Sequence, residues 1–105
     1  MEAFHVLVPY TPRNSKVAAA DAAYRYCVTA REKQNGDVVL FEPARCTTYT
    51  VPKAHLRRPT ALPRELEPKR LARLLKRTIK SFKQQGRRHD RTTAMAVLAQ
   101  LEQMQ

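Results

Sequence analysis

The sequence has 105 residues but no tryptophan, only two glycines and only two cysteines. So few glycines leave little material for the positive-φ loops that cradle phosphates in nucleotide-binding enzymes. Neither a P-loop nor a dinucleotide-binding fingerprint is present. Cys27 and Cys46 do not make a disulfide framework, so we expect two reduced, partly buried thiols. Glycine-loop enzymes and disulfide-rich secreted domains are therefore both excluded.

Long hydrophobic runs are also missing. No stretch approaches the roughly 18 apolar residues that a membrane span needs. Residues 4–8 are too short for the hydrophobic region of a secretory leader, and Glu2 stands where positive charge is expected. The absence of tryptophan also disfavours binding at a membrane surface. We expect a soluble, cytoplasmic protein with no membrane partner.

Acidic residues are scarce, and the imbalance is local. Twenty Lys and Arg stand against nine Asp and Glu, which gives a formal net charge of +11. Residues 1–52 carry a net charge of +1, whereas residues 53–105 carry +10. Charge that serves only solubility is expected to be spread over the whole chain, so the asymmetry indicates an anionic partner for the second half.

The first half of the chain predicts strands and one helix. Runs rich in β-branched and aromatic residues predict strands at 3–10, 37–42 and 45–51, the last two joined at Pro43-Ala44. Six alanines and 3–4 spacing of apolar residues predict a helix over 16–33, capped by Asn14 or Ser15 and ended by Asn35-Gly36. This order gives a small three-stranded sheet of the strand-helix-strand-strand type.

The second half predicts a connector and two helices. Prolines at 52, 59, 63 and 68 disfavour regular structure. A helix is predicted over 68–85, with Pro68 in its first turn and Gly86 beyond its end. A second helix is predicted over 91–104, capped by Asp90, with Thr92, Gln100 and Gln103 on its outer face. We predict one α+β domain over 1–105, made of a core (1–52), a basic connector (53–68) and a helical hairpin (69–105).

The first of these helices separates its side chains into two faces. Apolar residues occupy one face, and the opposite face carries a stripe of cations that no acidic side chain interrupts. The seven members of this stripe are Lys69, Arg70, Arg73, Lys76, Arg77, Lys80 and Lys83. Further arginines at either end extend the predicted site: Arg57, Arg58, Arg64, Arg87, Arg88 and Arg91. Such a stripe predicts contact with the phosphate backbone of DNA or RNA.

Several alternatives stay open at this point. The same cations fit an accessory or inhibitor protein that docks on an acidic surface of a larger protein or ribonucleoprotein complex. A helix-turn-helix arrangement would place residues 91–104 as the recognition helix. The neutral outer face of that helix is also compatible with a homo-oligomer. If the ligand is single-stranded, the aromatic residues available for stacking are Tyr10, Tyr24, Tyr26 and Tyr49.

Signals for catalysis are weak. His5, His55 and His89 are far apart and show no metal-ligand spacing. The acidic residues are scattered, so no pair is predicted for general acid and base work. A nucleophilic Cys27 or Cys46 would need a nearby histidine, for which only His5 is available. We therefore predict no catalytic residues, metal or cofactor, and a protein that is not an enzyme.

Overall fold

A computed structural model gives the structure of residues 5–10, 23–59, 61 and 63–103. A sheet comes first and two helices follow it, in this order: β1 (His5–Tyr10), β2 (Ala23–Glu32), β3 (Asp37–Glu42), β4 (Thr47–Pro52), α1 (Pro68–Gln84) and α2 (Arg88–Gln103). The predicted α+β class, with a small sheet followed by a basic two-helix hairpin, is confirmed.

The helix predicted over 16–33 is wrong from residue 23 onward. Residues 23–32 form β2, which pairs antiparallel with β1 on one side and β3 on the other. Within the described residues the sheet therefore has four strands in the order β1-β2-β3-β4, one more than predicted. Backbone partners on both edges and the strand-forming residues 24–29 outweigh the helix propensity of the alanines. Residues 16–22 of the predicted helix, and its Asn14 or Ser15 cap, lie outside the described residues.

The sheet buries apolar side chains on both faces. Five consecutive residues of β3, from Val38 to Glu42, are buried, as expected for a strand covered on both sides. One face packs against the helices and forms the main core, whose sheet members are Val28, Ala30, Val39 and Phe41. The opposite face holds a smaller cluster of Cys27, Val38 and Leu40, covered by Tyr49, Val51 and Leu56.

The β3–β4 turn is longer than predicted. It spans residues 43–46, and Cys46 has a φ of 48°, while its N–H donates to the Pro43 carbonyl over 3.4 Å. A two-residue hairpin turn of the favoured type needs positive φ at its first position, which the proline ring forbids. The extra residues move the left-handed conformation to Cys46, and β4 consequently begins at Thr47 rather than at Arg45.

The two helices form a tight hairpin. Pro68 is the first residue of α1, where a backbone N–H would have no acceptor within the helix, so the N–H that proline lacks is not needed. At the other end, Arg87 N–H donates to the Phe82 carbonyl (2.9 Å) and Gly86 N–H to that of Lys83 (3.2 Å), the pattern of a Schellman cap. Gly86 takes the left-handed conformation that this cap requires, with a φ of 71°. In the described part of the chain, no helix has the length and apolarity needed to cross a membrane.

α2 is the helix that lies on the sheet. Its first residue and the orientation of Gln100 both differ from the prediction. It begins at Arg88, so Asp90 lies in its first turn rather than at its cap. Gln100, predicted to face solvent, points at the sheet, where its Nε2 donates to the carbonyls of Thr29 (3.1 Å) and Ala30 (2.9 Å). A bulge in β2 between residues 29 and 31 presents these carbonyls, which no sequence pattern indicates.

Candidate functional site

The outer face of α1 carries all seven cations predicted from the helical spacing, and each of them is exposed. We call this surface the cationic ridge: Lys69, Arg70, Arg73, Lys76, Arg77, Lys80 and Lys83. The inner face of the same helix is buried through Leu71, Leu75, Thr78 and Phe82. At about 1.5 Å of rise per residue, the ridge extends for about 20 Å along the helix.

Acidic side chains barely compensate the ridge. In the part of the chain that the structure describes, Arg70 is the ridge member with an ion pair, to Glu67 at 3.5 Å, and both side chains are more than half exposed. Such an exposed pair contributes little stability. Like charges three and four residues apart on a helix repel each other. The ridge is therefore a surface of uncompensated positive potential.

A groove runs beside the first half of the ridge. It encloses about 580 Å³ between α1 and the short 3-10 turn Arg64–Leu66, and half-buried Leu74 is its apolar lining residue. Four arginines line it: Arg64, Arg70, Arg73 and Arg77. We call it the arginine groove. Arg64 is one of the arginines expected to extend the cationic surface, and the fold of the connector places it here beside α1.

A second cluster continues the ridge beyond Lys83. A cleft of about 280 Å³ at the interhelical turn is lined by Lys83, Arg87, Arg88 and Arg91 together with Phe82 and Gly86. The Arg87 guanidinium lies 4.4 Å from the centre of the Phe82 ring and pairs with Asp90 at 2.7 Å. Arg87 is thus partly neutralised, whereas Arg88 is exposed. Three of the predicted outlying arginines therefore do join the ridge.

The other two predicted arginines do not join it. Arg57 and Arg58 follow Leu56, which packs on the face of the sheet opposite the helices. Arg57 also uses its Nη1 to donate to the carbonyls of Ala54 (3.1 Å) and Leu56 (3.0 Å), so it stabilises its own turn. Spacing along the chain gave no sign that the connector crosses to the far side of the sheet.

Asp90 connects α2 to the sheet. Its carboxylate accepts hydrogen bonds from the Thr48 hydroxyl and from Arg87 Nε, each 2.7 Å long. Partial burial acts to raise the pKa of Asp90, but these two hydrogen bonds and the charges of Arg87 and His89 outweigh it, so the pKa lies below its ordinary value. Asp90 is consequently an anion that stabilises the structure next to the cationic surface.

A buried polar network lies on the far face of the sheet. The carboxylate of Glu42, a residue only 1% exposed, accepts hydrogen bonds from the hydroxyl of Tyr49 (2.6 Å) and from Arg45 Nη1 (2.7 Å). Burial, the hydrogen bond to Glu42 and its charge raise the pKa of Tyr49. Burial, aided by Glu42 and opposed by Arg25, raises the pKa of Cys27 to about 12. Cys27 is therefore a protonated thiol at neutral pH, which is a poor nucleophile.

Tyr26 is one of the four tyrosines predicted to be available for stacking. It is 41% exposed, whereas Tyr49 is half-buried and its hydroxyl is engaged. The sequence predicted a helix at this position, whereas Tyr26 lies on strand β2. Among the described residues, no three His, Cys, Asp or Glu side chains converge as metal ligands would.

No protein-family model, curated protein or solved structure matches the chain.

Proposed function

We propose that this chain is a nucleic-acid-binding protein of the cytoplasm, not an enzyme, which holds the phosphate backbone on the cationic ridge. The observation that carries the proposal is the exposure of seven cations on one face of one helix, where the described residues supply a single exposed acidic partner. Repulsion along the ridge is relieved when phosphates replace the missing acidic neighbours. Release of condensed counterions from the nucleic acid supplies the favourable free energy.

The composition of the ridge favours nucleic acid over an acidic protein surface. Protein interfaces depend on a buried centre with aromatic or other large apolar anchors. Among the described residues, the exposed large hydrophobic side chains are Tyr26 and Met95, and neither belongs to α1. A helix face with many cations and no exposed large apolar side chain of its own suits a regularly charged polymer better than a protein partner.

The test is binding of nuclease-treated protein to single- and double-stranded DNA and RNA across a salt series. We expect log K to fall with log salt with a slope of about −5 or steeper for duplexes and about −4 or steeper for single strands, as for six or more phosphate contacts. Reversal of three ridge charges (Arg73→Glu, Lys76→Glu, Lys80→Glu) should lower affinity by at least about a hundredfold. All three side chains are exposed, so the melting temperature should change little.

The matched control reverses three cations near the β2–β3 turn: Arg31→Glu, Lys33→Glu and Lys53→Glu. That turn and the β3–β4 turn lie at opposite ends of β3, and α1 approaches the latter, where Thr78 Oγ1 is 3.7 Å from Cys46 Sγ. Both variants lose the same net charge, so only the position differs. Equal losses in the two variants would attribute binding to net charge and contradict a ridge site.

Absence of binding to all four polymers at low salt would overturn the proposal. The rival partner is then an acidic surface of a larger protein or ribonucleoprotein complex, and polyglutamate is a suitable probe for it. Formation of a stoichiometric complex with an acidic polypeptide would support that alternative, provided that the complex persists after nuclease treatment.

A further inference from the structure

Tyr26 occupies an unusual position for an exposed aromatic ring. Side chains alternate along β2, so Tyr26 shares the helix-facing side of the sheet with Val28, which belongs to the main core. Yet Tyr26 remains 41% exposed while Val28 is fully buried. The helical layer therefore ends short of this position, and the phenol ring closes one side of an open cleft.

The cleft beside Tyr26 has the size and lining of a site for one flat ring. It encloses about 280 Å³, just below the roughly 300–1,000 Å³ typical of small-molecule sites. Its walls include two arginines and two prolines, and its lining residues beside Tyr26 include Arg25, Arg45, Pro43, Pro63 and Glu65. Prolines hold their backbone rigidly, so this part of the wall is preformed.

The Tyr26 cleft adjoins the arginine groove. Glu65 lines both, and the 3-10 turn Arg64–Leu66 separates them, with Arg64 on the groove side and Leu66 on the cleft side. A chain whose phosphates lie against the four groove arginines thus passes directly beside an exposed aromatic ring. Glu65 at the boundary repels phosphate, so the segment that enters the cleft is better suited to be a base than a phosphate.

From this juxtaposition we infer that the protein binds single-stranded nucleic acid, with phosphates in the arginine groove and one unpaired base stacked on Tyr26. The inference rests on the proposed function and deepens it. A base in a duplex has both faces covered by its neighbours, whereas an unpaired base can place one face on an aromatic side chain. The ridge alone would bind duplex and single strand alike, so the Tyr26 cleft is the feature that discriminates between them.

The test compares Tyr26→Ala with Tyr26→Phe on single-stranded and duplex oligonucleotides of both DNA and RNA. Loss of one stacked base should lower single-strand affinity about five- to 150-fold. Duplex affinity and the salt slope should stay unchanged, and Tyr26→Phe should bind as the parent does. Met95→Ala on α2 is the matched control, because Met95 is the other large apolar side chain that is exposed among the described residues, and it should have no effect.

A fluorescence measurement provides a second readout. The chain has no tryptophan, so Tyr26→Trp introduces a single reporter. Its emission should be quenched by a single-stranded oligonucleotide but not by polyphosphate, which carries the charge without bases. The DNA and RNA arms then show which sugar the site prefers.

The outcomes separate this inference from the proposed function. Parent-like single-strand affinity in Tyr26→Ala, or equal losses for single strand and duplex, would overturn the stacking site while the ridge variants still report backbone binding. Quenching of the tryptophan by polyphosphate would equally argue against a stacked base. If the parent protein binds none of the polymers, both proposals fail together.

Discussion

α1 and α2 are two helices of one hairpin, with 17 and 16 residues, and both bury one side in the same core. Their outer faces differ completely. α1 exposes the seven cations of the ridge, whereas the outer face of α2 beyond its first turn is mostly uncharged, with Thr92, Met95 and Ala99 exposed. Solubility acts on both helices alike, so it does not account for the difference. The contrast supports a partner that touches α1 and the first turn of α2, but not the rest of α2.

The buried inner face of α1 compensates for the repulsion between the charges of the ridge. Repulsion between like charges at neighbouring helical positions costs about 0.2–0.5 kcal/mol per pair. Burial of each large apolar side chain on the inner face contributes about 1.5–3 kcal/mol, and Leu71, Leu75 and Phe82 are at most 2% exposed. The inner face of α1 thus outweighs the unfavourable outer face, and the two can be altered separately.

The largest predicted effect comes from the shared inner side. Leu75 is fully buried in the main core, so Leu75→Ala should lower the free energy of unfolding by about 2–5 kcal/mol. Urea denaturation followed by circular dichroism measures this change. Met95→Ala on the exposed face of α2 should stay within about 0.5 kcal/mol of the parent. Comparable losses in both variants would show that the outer face of α2 is covered, for example by a second copy of the chain.

Local signals predicted the hairpin well, because helix ends are encoded in neighbouring residues. As expected, α1 begins at Pro68 and ends just before Gly86, and the 3.6-residue spacing correctly placed the ridge on the exposed side. β3 was predicted to the residue, since a short apolar run between Gly36 and Pro43 leaves few alternatives. The cationic part of the candidate site was therefore readable from the sequence.

Pairing with neighbouring strands determined the conformation of residues 23–32, which the local sequence left ambiguous. Residues 23–32 carry both a helical spacing and a strand-forming composition, and the backbone partners in β1 and β3 select the strand. The run Tyr-Arg-Tyr-Cys-Val-Thr over 24–29 was the signal that could have indicated it. The position of Gln100 against the sheet and that of Arg64 beside α1 follow from the sheet and from the path of the connector, and spacing along the chain does not give either contact.

An exchange of charge between the helices tests their difference directly. The variant replaces Arg73, Lys76 and Lys80 by Gln and places Lys at Thr92, Met95 and Ala99, so the net charge stays at +11. Loss of three phosphate contacts should lower affinity about a hundredfold and reduce the magnitude of the salt slope by about two to three. The added lysines are at exposed positions and have good helix propensity, so the fold should persist.

Parent-like affinity in the exchanged variant would show that overall charge, not the surface of α1, governs binding. The variant with only the three α2 lysines is the control, and we expect it to change affinity by less than about threefold. Size-exclusion chromatography with light scattering on this control also tests the oligomer hypothesis. Three lysines on that face should dissociate any assembly formed through α2.

The smallest predicted effect concerns the anchoring of α2. Asp90→Asn removes the anion that accepts hydrogen bonds from Thr48 and Arg87, and it weakens the favourable charge at the start of the helix. At pH 6 we expect a loss of about 1–2 kcal/mol in the free energy of unfolding. Glu102→Gln, at the exposed far end of α2, removes the same charge and should change stability by less than about 0.5 kcal/mol.

The pH dependence of that loss has a definite sign. The pKa of Asp90 is lowered in the folded state from an ordinary value of 3.8, so its contribution is fully present above about pH 4 and disappears as pH falls through the folded pKa. The stability difference between the parent and Asp90→Asn should therefore shrink below pH 4. A difference that persists unchanged at pH 2 would assign the effect to packing rather than to the carboxylate. Because Asp90 also pairs with Arg87 at 2.7 Å, its loss frees that cation, so the salt slope of nucleic-acid binding should steepen by at most about one. Loss of ridge cations changes the slope in the opposite direction, which separates the anchoring of α2 from binding by α1.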